Sequence, residues 1–385
     1  MKLTLSWLRD HLDTDATAEA LAAKLSMIGL EVESIENPAK ALAPFIVARV
    51  LDAKKHPDAD KLRVAQVDTG AGVVEVVCGA PNCRTGMIGV FAPIGTYIPG
   101  TKITLDKRPV RGVVSNGMLV SERELELSDD HQGIIDLGET FATSIGKRYI
   151  DALGLDDPVL DVKLTANRPD CTGIRGIARD LAAAGMGKLK AEPKLAKVEG
   201  SYDCPVPIDV DGADASGCSA FYGRYIRGIK NGASPAWMQA RLKAIGQRPI
   251  NAVVDVTNYV SFDRGRPLHV YDADKLHGTI RARIANPGEG FKGLDGKSYV
   301  VEPPMCVIAD DRAVLGLGGI LGGEASGSTN ETKNILIECA YFDPLKTAAT
   351  GRRLGLQTEA RYRFERGVDP AYLDAGLDLA THLMM

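Results

Sequence analysis

Apolar positions in residues 248–272, RPINAVVDVTNYVSFDRGRPLHVYD, recur with a helical period. Ile250, Val253, Val254 and Thr257 fall at i, i+3, i+4 and i+7. Asn251 is placed to cap this helix, and Gly265 followed by Pro267 ends it. Similar stripes predict other helices. Trp7, Leu8, His11 and Leu12 follow a Ser6 cap; Leu21, Leu25 and Ile28 follow Asp15 and stop at Gly29. Ile174, Ile177, Ala178 and Leu181 follow the polar run NRPD, with Asp170 as the expected cap. Ser234 then Pro235 opens a further helix, and Asp369–Pro370 opens one carrying Leu373, Leu377 and Ala380.

Between these helices the period changes. Residues 41–150 hold short runs, Ile46–Leu51, Leu62–Val67, Val73–Cys78 and Ile88–Phe91, separated by Gly, Pro and Asp turns. That spacing predicts a small β-barrel. Beyond a linker at Lys188–Gly200, strands are expected at Val206–Val210, Phe221–Ile226, Ile280–Ile284, Met305–Ala309, Ala313–Leu317 and Asn334–Ala340, with a hairpin turn at Asp295-Gly296. The fold class is therefore α+β, and 385 residues call for roughly two to four domains.

Composition narrows the function. The chain is 45% hydrophobic and 25% charged, as ordinary globular proteins are, and no apolar run approaches the roughly 18 residues of a membrane helix. The start, MKLTLSWLRDHLD, turns polar too early for a signal peptide, so cytoplasm is the expected location. A net charge of −4 confines any RNA contact to local basic patches. The seven cysteines are scattered, with only Cys78 and Cys83 close together and no CxxC, which predicts reduced thiols and no zinc site.

Several residues carry candidate chemistry. Arg248 precedes the central helix and His269 follows it in an Arg-Pro-Leu-His turn. Glu338 interrupts the apolar strand ILIECA; a buried carboxylate needs either an arginine partner or a ligand. The glycine run Gly316–Gly323 is followed by Glu324-Ala325 rather than Lys-Ser, and Leu321 stands where a dinucleotide fingerprint needs its last glycine. It is read instead as backbone able to approach a ligand. Lys54, Lys55, Lys61, Arg63, Lys102, Lys107, Arg108 and Arg111 form either a solvated face or an RNA-facing one.

Taken together, KLTLSWLRDHL, LSMIGLEVE, HPDADKL, VCGAPN, SNGML, LTANRPDCTGIRGIARDLAAAG, RPINAVVDVTNYVSFDRGRPLHVYD, GLGGILGG, ILIECA and LQTEARYRFERGVDP resemble the bacterial phenylalanyl-tRNA synthetase beta chain over essentially the whole length. The resemblance implies an oligonucleotide-binding barrel at residues 41–150, inserted in a small discontinuous α+β domain at 1–40 and 151–200. An α+β editing domain follows at 201–385. It implies post-transfer editing, the hydrolysis of tyrosyl-tRNA. Arg248, His269 and Glu338 would be the catalytic set, with Arg248 and His269 orienting the ester and ribose and Glu338 reading the tyrosine hydroxyl. Pro267, Gly322, Thr358 and Ala360 would shape the substrate pocket, and Lys54, Lys55, Lys61, Arg63, Lys107, Arg108 and Arg111 would meet tRNA.

No metal or cofactor is expected in this chain. ATP and Mg²⁺ belong to the complete synthetase, implied to be a heterotetramer of two alpha and two beta chains acting on phenylalanine tRNA. The chain ends at Met385 and is expected to be an N-terminal fragment with deacylase activity only. Val120, where the family often has Cys, and Arg361, where many members have a small residue, depart from the pattern. The alternatives are a non-catalytic RNA-binding and assembly module and a free-standing deacylase.

Overall fold

The computed structural model describes residues 1–385 except 129, 131, 197, 211 and 212. Residues 1–35 and 159–385 form one compact unit, and residues 36–158 form another.

In the first unit, strand β1 (Lys2–Thr4) runs into helix α1 (Leu5–His11), and helix α2 (Ala18–Met27) precedes strand β2 (Glu31–Glu36). Thr4, not Ser6, caps α1: its hydroxyl accepts from the Trp7 amide at 3.2 Å. Thr17 does the same for α2 through the Ala20 amide at 3.3 Å. Trp7 is fully buried and donates its indole N–H to Asp263 at 2.7 Å, while His11 meets the same carboxylate oxygen at 2.6 Å. Burial would push the Asp263 carboxyl up, but His11, Arg264 and Trp7 outweigh it and hold the pKa below its usual value. These contacts tie the N-terminus to the central helix. Leu3, Trp7, Leu21 and Ile177 share one core with Leu242, Val256 and Val260.

In the unit at 36–158, strands β3 (Ile46–His56), β4 (Ala59–Asp68), β5 (Val73–Cys78) and β6 (Ile88–Pro93) precede a hairpin, β7 (Arg108–Val110) and β8 (Val113–Ser115), and then β9 (Gly117–Leu119). The main sheet has the order β9-β6-β3-β4-β5 and is antiparallel throughout. Ala48, Val50, Ala65, Val67, Val76 and Phe91 fill its interior. Its edges nearly close: the Asn116 amide donates to the Glu75 carbonyl at 2.9 Å, and the Val77 amide to Ser115 Oγ at 3.0 Å. The hairpin turns through Arg111 and Gly112 at φ 47° and 91°, left-handed positions suited to a two-residue turn. Val120 is fully buried among apolar side chains, so the departure from Cys places a hydrocarbon in a hydrocarbon site.

The chain re-enters the first unit through β10 (Val159–Lys163), which lies between β1 and β2. Helix α3 (Ile174–Ala183) starts at Gly173 with no side-chain cap. Asp170 instead accepts two hydrogen bonds from Arg168, at 3.0 and 2.9 Å, and pairs with Arg179, so the NRPD turn is braced by charge. Lys188–Leu189 pairs with Leu12–Asp13 as a short edge, and residue 197 of the expected linker lies outside the described residues.

Next come β11 (Ile208–Asp209), β12 (Cys218–Arg227), α4 (Ala236–Ala244), α5 (Ala252–Arg264) and β13 (His269–Asp272). They are followed by β14 (Ile280–Ile284), β15 (Cys306–Ala309), β16 (Val314–Leu317), β17 (Leu321–Gly322) and β18 (Asn334–Phe342). Helices α6 (Pro344–Leu354), α7 (Glu359–Phe364) and α8 (Leu373–Met384) complete the unit. One sheet has the order β12-β18-β13 and another β11-β14-β15-β16-β17.

Asn251 caps α5 by accepting from the Val254 amide at 3.1 Å, and Gly265 ends it at φ 68°. Ile250, placed on the apolar stripe by its spacing, lies outside the helix and is 64% exposed. Pro235, rather than Ser234, is the N-cap position of α4, and the Ser234 hydroxyl donates to Asp255 at 2.5 Å.

Candidate functional site

Strand β18 is buried along nearly its whole length, with Ile335, Leu336 and Ile337 before Glu338 and Cys339 and Ala340 after it. Glu338 faces Gly223 on β12 and His269 on β13 in register and is 6% exposed. Its partner is not an arginine. Tyr271 Oη donates to Glu338 Oε2 at 2.5 Å. Burial pushes the Glu338 carboxyl up to about 7, with the Tyr271 hydrogen bond acting in the opposite direction. Burial and the neighbouring Glu338 keep the Tyr271 phenol well above its usual range, so it remains a proton donor.

The His269 ring meets Tyr271 edge-on, with centroids 4.4 Å apart. Its Nε2 is buried and has no hydrogen-bond partner among the described residues. Burial lowers its pKa to about 4, so the imidazole is neutral near pH 7 and offers a hydrogen bond rather than a charge. Gly322 makes room for it. A Cβ there would lie 2.4 Å from His269 Cε1 and 2.9 Å from Nε2.

These groups border a small cavity of about 70 Å³, walled by Ile308, Leu317, Ile320, Phe342 and Phe364. Cavities of about 440 and 690 Å³ exist elsewhere, one inside each unit. Neither combines a buried carboxyl, an unpartnered imidazole and apolar walls. The small cavity is singled out by chemistry, not size.

Pro267, His269, Gly322, Glu338 and Ala360 all line this cavity. Thr358 does not. It caps α7 by accepting from the Arg361 amide at 3.1 Å and donates to the Ile320 carbonyl at 2.7 Å, fixing a wall residue. Arg248 is not brought to the cavity either. It is exposed, in the segment before α5, with no hydrogen bond or ion pair to any described residue. Arg361 turns away to Glu365 at 2.9 Å.

Two residues escape a reading of the sequence. Tyr271 carries a faint signal, since it stands two positions after His269 and so shares its face of the strand. Leu294 carries none. It sits in a hairpin turn, 54% exposed, with its amide bonded to the Gly322 carbonyl at 2.9 Å and its Cδ1 3.1 Å from where a Gly322 Cβ would stand.

The glycine run forms β16 and its return β17, with no helix opening after it, so it gives no phosphate cradle for ATP. Among the described residues one acidic group, Asp170, Cys171 and Asp180, has metal-like spacing, and Arg168 and Arg179 already pair with both its carboxylates.

In the barrel, Lys54, Lys55, Lys61, Lys107, Arg108 and Arg111 are exposed and Arg63 is half-buried. Lys55 stands directly opposite Arg63. His56 Nε2 contacts the Val110 carbonyl at 3.1 Å, which sets the Arg108–Ser115 hairpin against the same end of the sheet.

Residues 45–145 match the tRNA binding domain family, and residues 217–385 match the B3/4 domain family. Phenylalanine–tRNA ligase beta subunits from Rhodopseudomonas palustris and Nitrobacter winogradskyi are 56% identical over 387 residues and 54% identical over 392. The chain belongs to the phenylalanine–tRNA ligase beta-subunit family. These alignments take in all of this chain and 48% of each relative, so the chain spans about half the length of the beta subunits it matches. Among solved structures, an N-terminal fragment of the phenylalanyl-tRNA synthetase beta-subunit from Pyrococcus horikoshii matches 48% of this chain and 56% of its own. It does so at 17% identity and a TM-score of 0.29, too low to bear on the fold. The cavity residues all fall within the B3/4 match and the basic residues within the tRNA binding match. No helix among the described residues is long and apolar enough to cross a membrane.

Proposed function

We propose that the cavity is the editing site of a phenylalanine–tRNA ligase beta subunit, where the ester of tyrosyl-tRNA is hydrolysed. The observation that carries this reading is Glu338, a buried carboxyl bordering a small cavity whose other walls, His269 and Tyr271 apart, are apolar. Tyrosine is phenylalanine plus one hydroxyl. An apolar pocket rejects such an isostere only about a hundredfold, whereas a site that must bond the hydroxyl discriminates by roughly 10⁴ or more. Glu338 takes the role of acceptor. Pro267, Gly322 and Ala360 leave space for the ring, and Thr358 holds the wall through Ile320. The neutral His269 orients the ester or the ribose with its free Nε2. Arg248, exposed and unpaired among the described residues, is free to meet an RNA phosphate outside the cavity. Holding ester and water in register supplies the rate by proximity; no residue is assigned to activate the water.

The barrel is an oligonucleotide-binding barrel inserted between residues 1–40 and 151–200. Its face of Lys54, Lys55, Lys61, Arg63, Lys107, Arg108 and Arg111 gives auxiliary contact to phenylalanine tRNA. The complete enzyme is a cytoplasmic heterotetramer of two alpha and two beta chains, with ATP and Mg²⁺ used outside this cavity. Incubation of the chain with tyrosyl-tRNA and phenylalanyl-tRNA tests the reading. Selective release of tyrosine is the expected result. Binding of both without release overturns it in favour of an RNA-binding and assembly module.

A further inference from the structure

Tyr271 lies two residues beyond His269 on β13, on the same face of the strand. Its hydroxyl reaches across to β18 and donates to Glu338 Oε2 at 2.5 Å, the single hydrogen bond to that carboxyl among the described residues. Both side chains border the cavity. The phenol is thus the same chemical donor as the hydroxyl of a tyrosyl ligand, already engaged with one half of the acceptor.

We propose that Tyr271 is a positioning residue for Glu338, pinning one carboxylate oxygen so that the other is presented, ionised, to the ligand's hydroxyl. This rests on the reading of the cavity as a tyrosine-selective deacylase site.

A carboxylate accepts on both oxygens, and its terminal torsion is soft, so an unpinned Glu338 would have neither a fixed direction nor a reason to stay charged in an apolar wall. The surroundings supply no substitute. From β13 come Tyr271 and His269, from β15 Cys306 senses Glu338, and the position opposite on β12 is Gly223. Cys339, next along β18, also senses Arg266. The nearby arginines are engaged elsewhere: Arg361 with Glu365, Arg363 with Glu359, and Arg266 with the carbonyls of Ala340 and Asp369. Among the described residues the phenol is the one group that favours the charged form of Glu338. A protonated carboxyl would donate as well as accept and would be less costly to leave beside a phenylalanine ring. Loss of the phenol therefore blurs discrimination.

Tyr271→Phe keeps the ring and removes the donor. In ligand-free protein, infrared titration of the carboxyl band, assigned with Glu338→Gln, should show the midpoint rising by about one pH unit or more. In single-turnover assays near pH 7 the ratio of tyrosyl to phenylalanyl hydrolysis should fall roughly tenfold, and it should recover as the pH passes the new midpoint. Fluorotyrosine at position 271, a stronger donor of nearly the same size, should move the midpoint down and serves if the Phe variant does not fold. An unmoved midpoint overturns the proposal whatever the catalysis. A moved midpoint with an unchanged ratio, in a chain whose parent is active, overturns the role in ligand selection. A parent that does not hydrolyse tyrosyl-tRNA overturns the deacylase reading instead, and the midpoint alone then decides whether Tyr271 holds Glu338.

Discussion

His269 and Glu338 are direct partners across β13 and β18, yet no hydrogen bond joins them. Burial perturbs them in opposite senses. Glu338 is held near 7 against 4.5 for a free carboxyl, and His269 near 4 against 6.5 for a free imidazole. Burial disfavours the charge on each, so near neutral pH His269 is a neutral imidazole and Glu338 stands close to its midpoint, and the two do not form an ion pair.

The pair should leave a signature in stability against pH. Glu338 has a raised folded pKa, so its contribution is complete below pH 4.5 and is lost as pH rises to about 7. His269 has a lowered folded pKa, so its contribution is complete above 6.5 and is lost as pH falls to about 4. Each amounts to at most roughly 3 kcal/mol, and in the parent they largely cancel. Glu338→Gln leaves His269 uncompensated. Relative to the parent, its unfolding free energy should climb between pH 4.5 and 7, as urea melts across that range would measure. A constant difference across the range would mean that Glu338 titrates normally.

Gly322→Ala should disable the site without unfolding the unit. The added methyl would stand 2.4 Å from His269 Cε1, so the imidazole must swing out of the cavity. The neighbouring Leu294 side chain is exposed and can yield. Hydrolysis of tyrosyl-tRNA should drop by roughly a hundredfold, the scale of a misplacement of about 1 Å, with a melting temperature within a few degrees of the parent. Retained activity would show that His269 takes no part.

What could be read in the sequence depended on whether neighbours in space were also neighbours in the chain. The Asn251 cap and the Gly265 stop are local and emerge directly from residue type. Glu338 stands out because one carboxylate among Ile337, Cys339 and Ala340 violates a local pattern. Its partner does not, because Tyr271 is brought to it by strand register across a separation of 67 residues. Ser6 and Thr4 are both hydroxyls near the start of α1, and only the position of the first helical turn decides which of them reaches the Trp7 amide. Arg248, expected beside His269 and Glu338, does not line the cavity, because the end of a helix does not tell where the preceding segment points.

The barrel face should bind RNA by charge alone. Lys55 opposite Arg63 is a like-charge cross-strand pair, which costs stability unless an anion bridges it. Lys55→Ala should therefore weaken tRNA binding, lower the salt slope of log Kd by about one, and leave the melting temperature equal or slightly raised. Filter binding over a salt series measures both slope and affinity. Lys54 is a useful contrast, since its ammonium is already paired with Asp52 at 2.8 Å, and Lys54→Ala should change the slope less. Equal slopes for parent and Lys55→Ala would remove that end of the sheet from the interface.

Glu338→Ala should reduce discrimination more than it reduces hydrolysis itself. On the proposed reading of the cavity, a tyrosyl hydroxyl would bond the carboxyl in the parent, and a phenylalanyl ring would leave the same desolvated oxygen without a partner. Truncation removes both the reward and the penalty, and the Tyr271 hydroxyl left behind can donate to whatever water enters. A hydrogen bond to a charged group is worth roughly 1.5–3 kcal/mol, so the ratio of tyrosyl to phenylalanyl turnover should fall about ten- to a hundredfold. Single-turnover rates for both substrates, in parent and variant, give the ratio. A collapsed melting temperature with an unchanged ratio would make Glu338 a structural partner of Tyr271 alone. An intact fold with an unchanged ratio would assign recognition of the hydroxyl to another wall of the cavity.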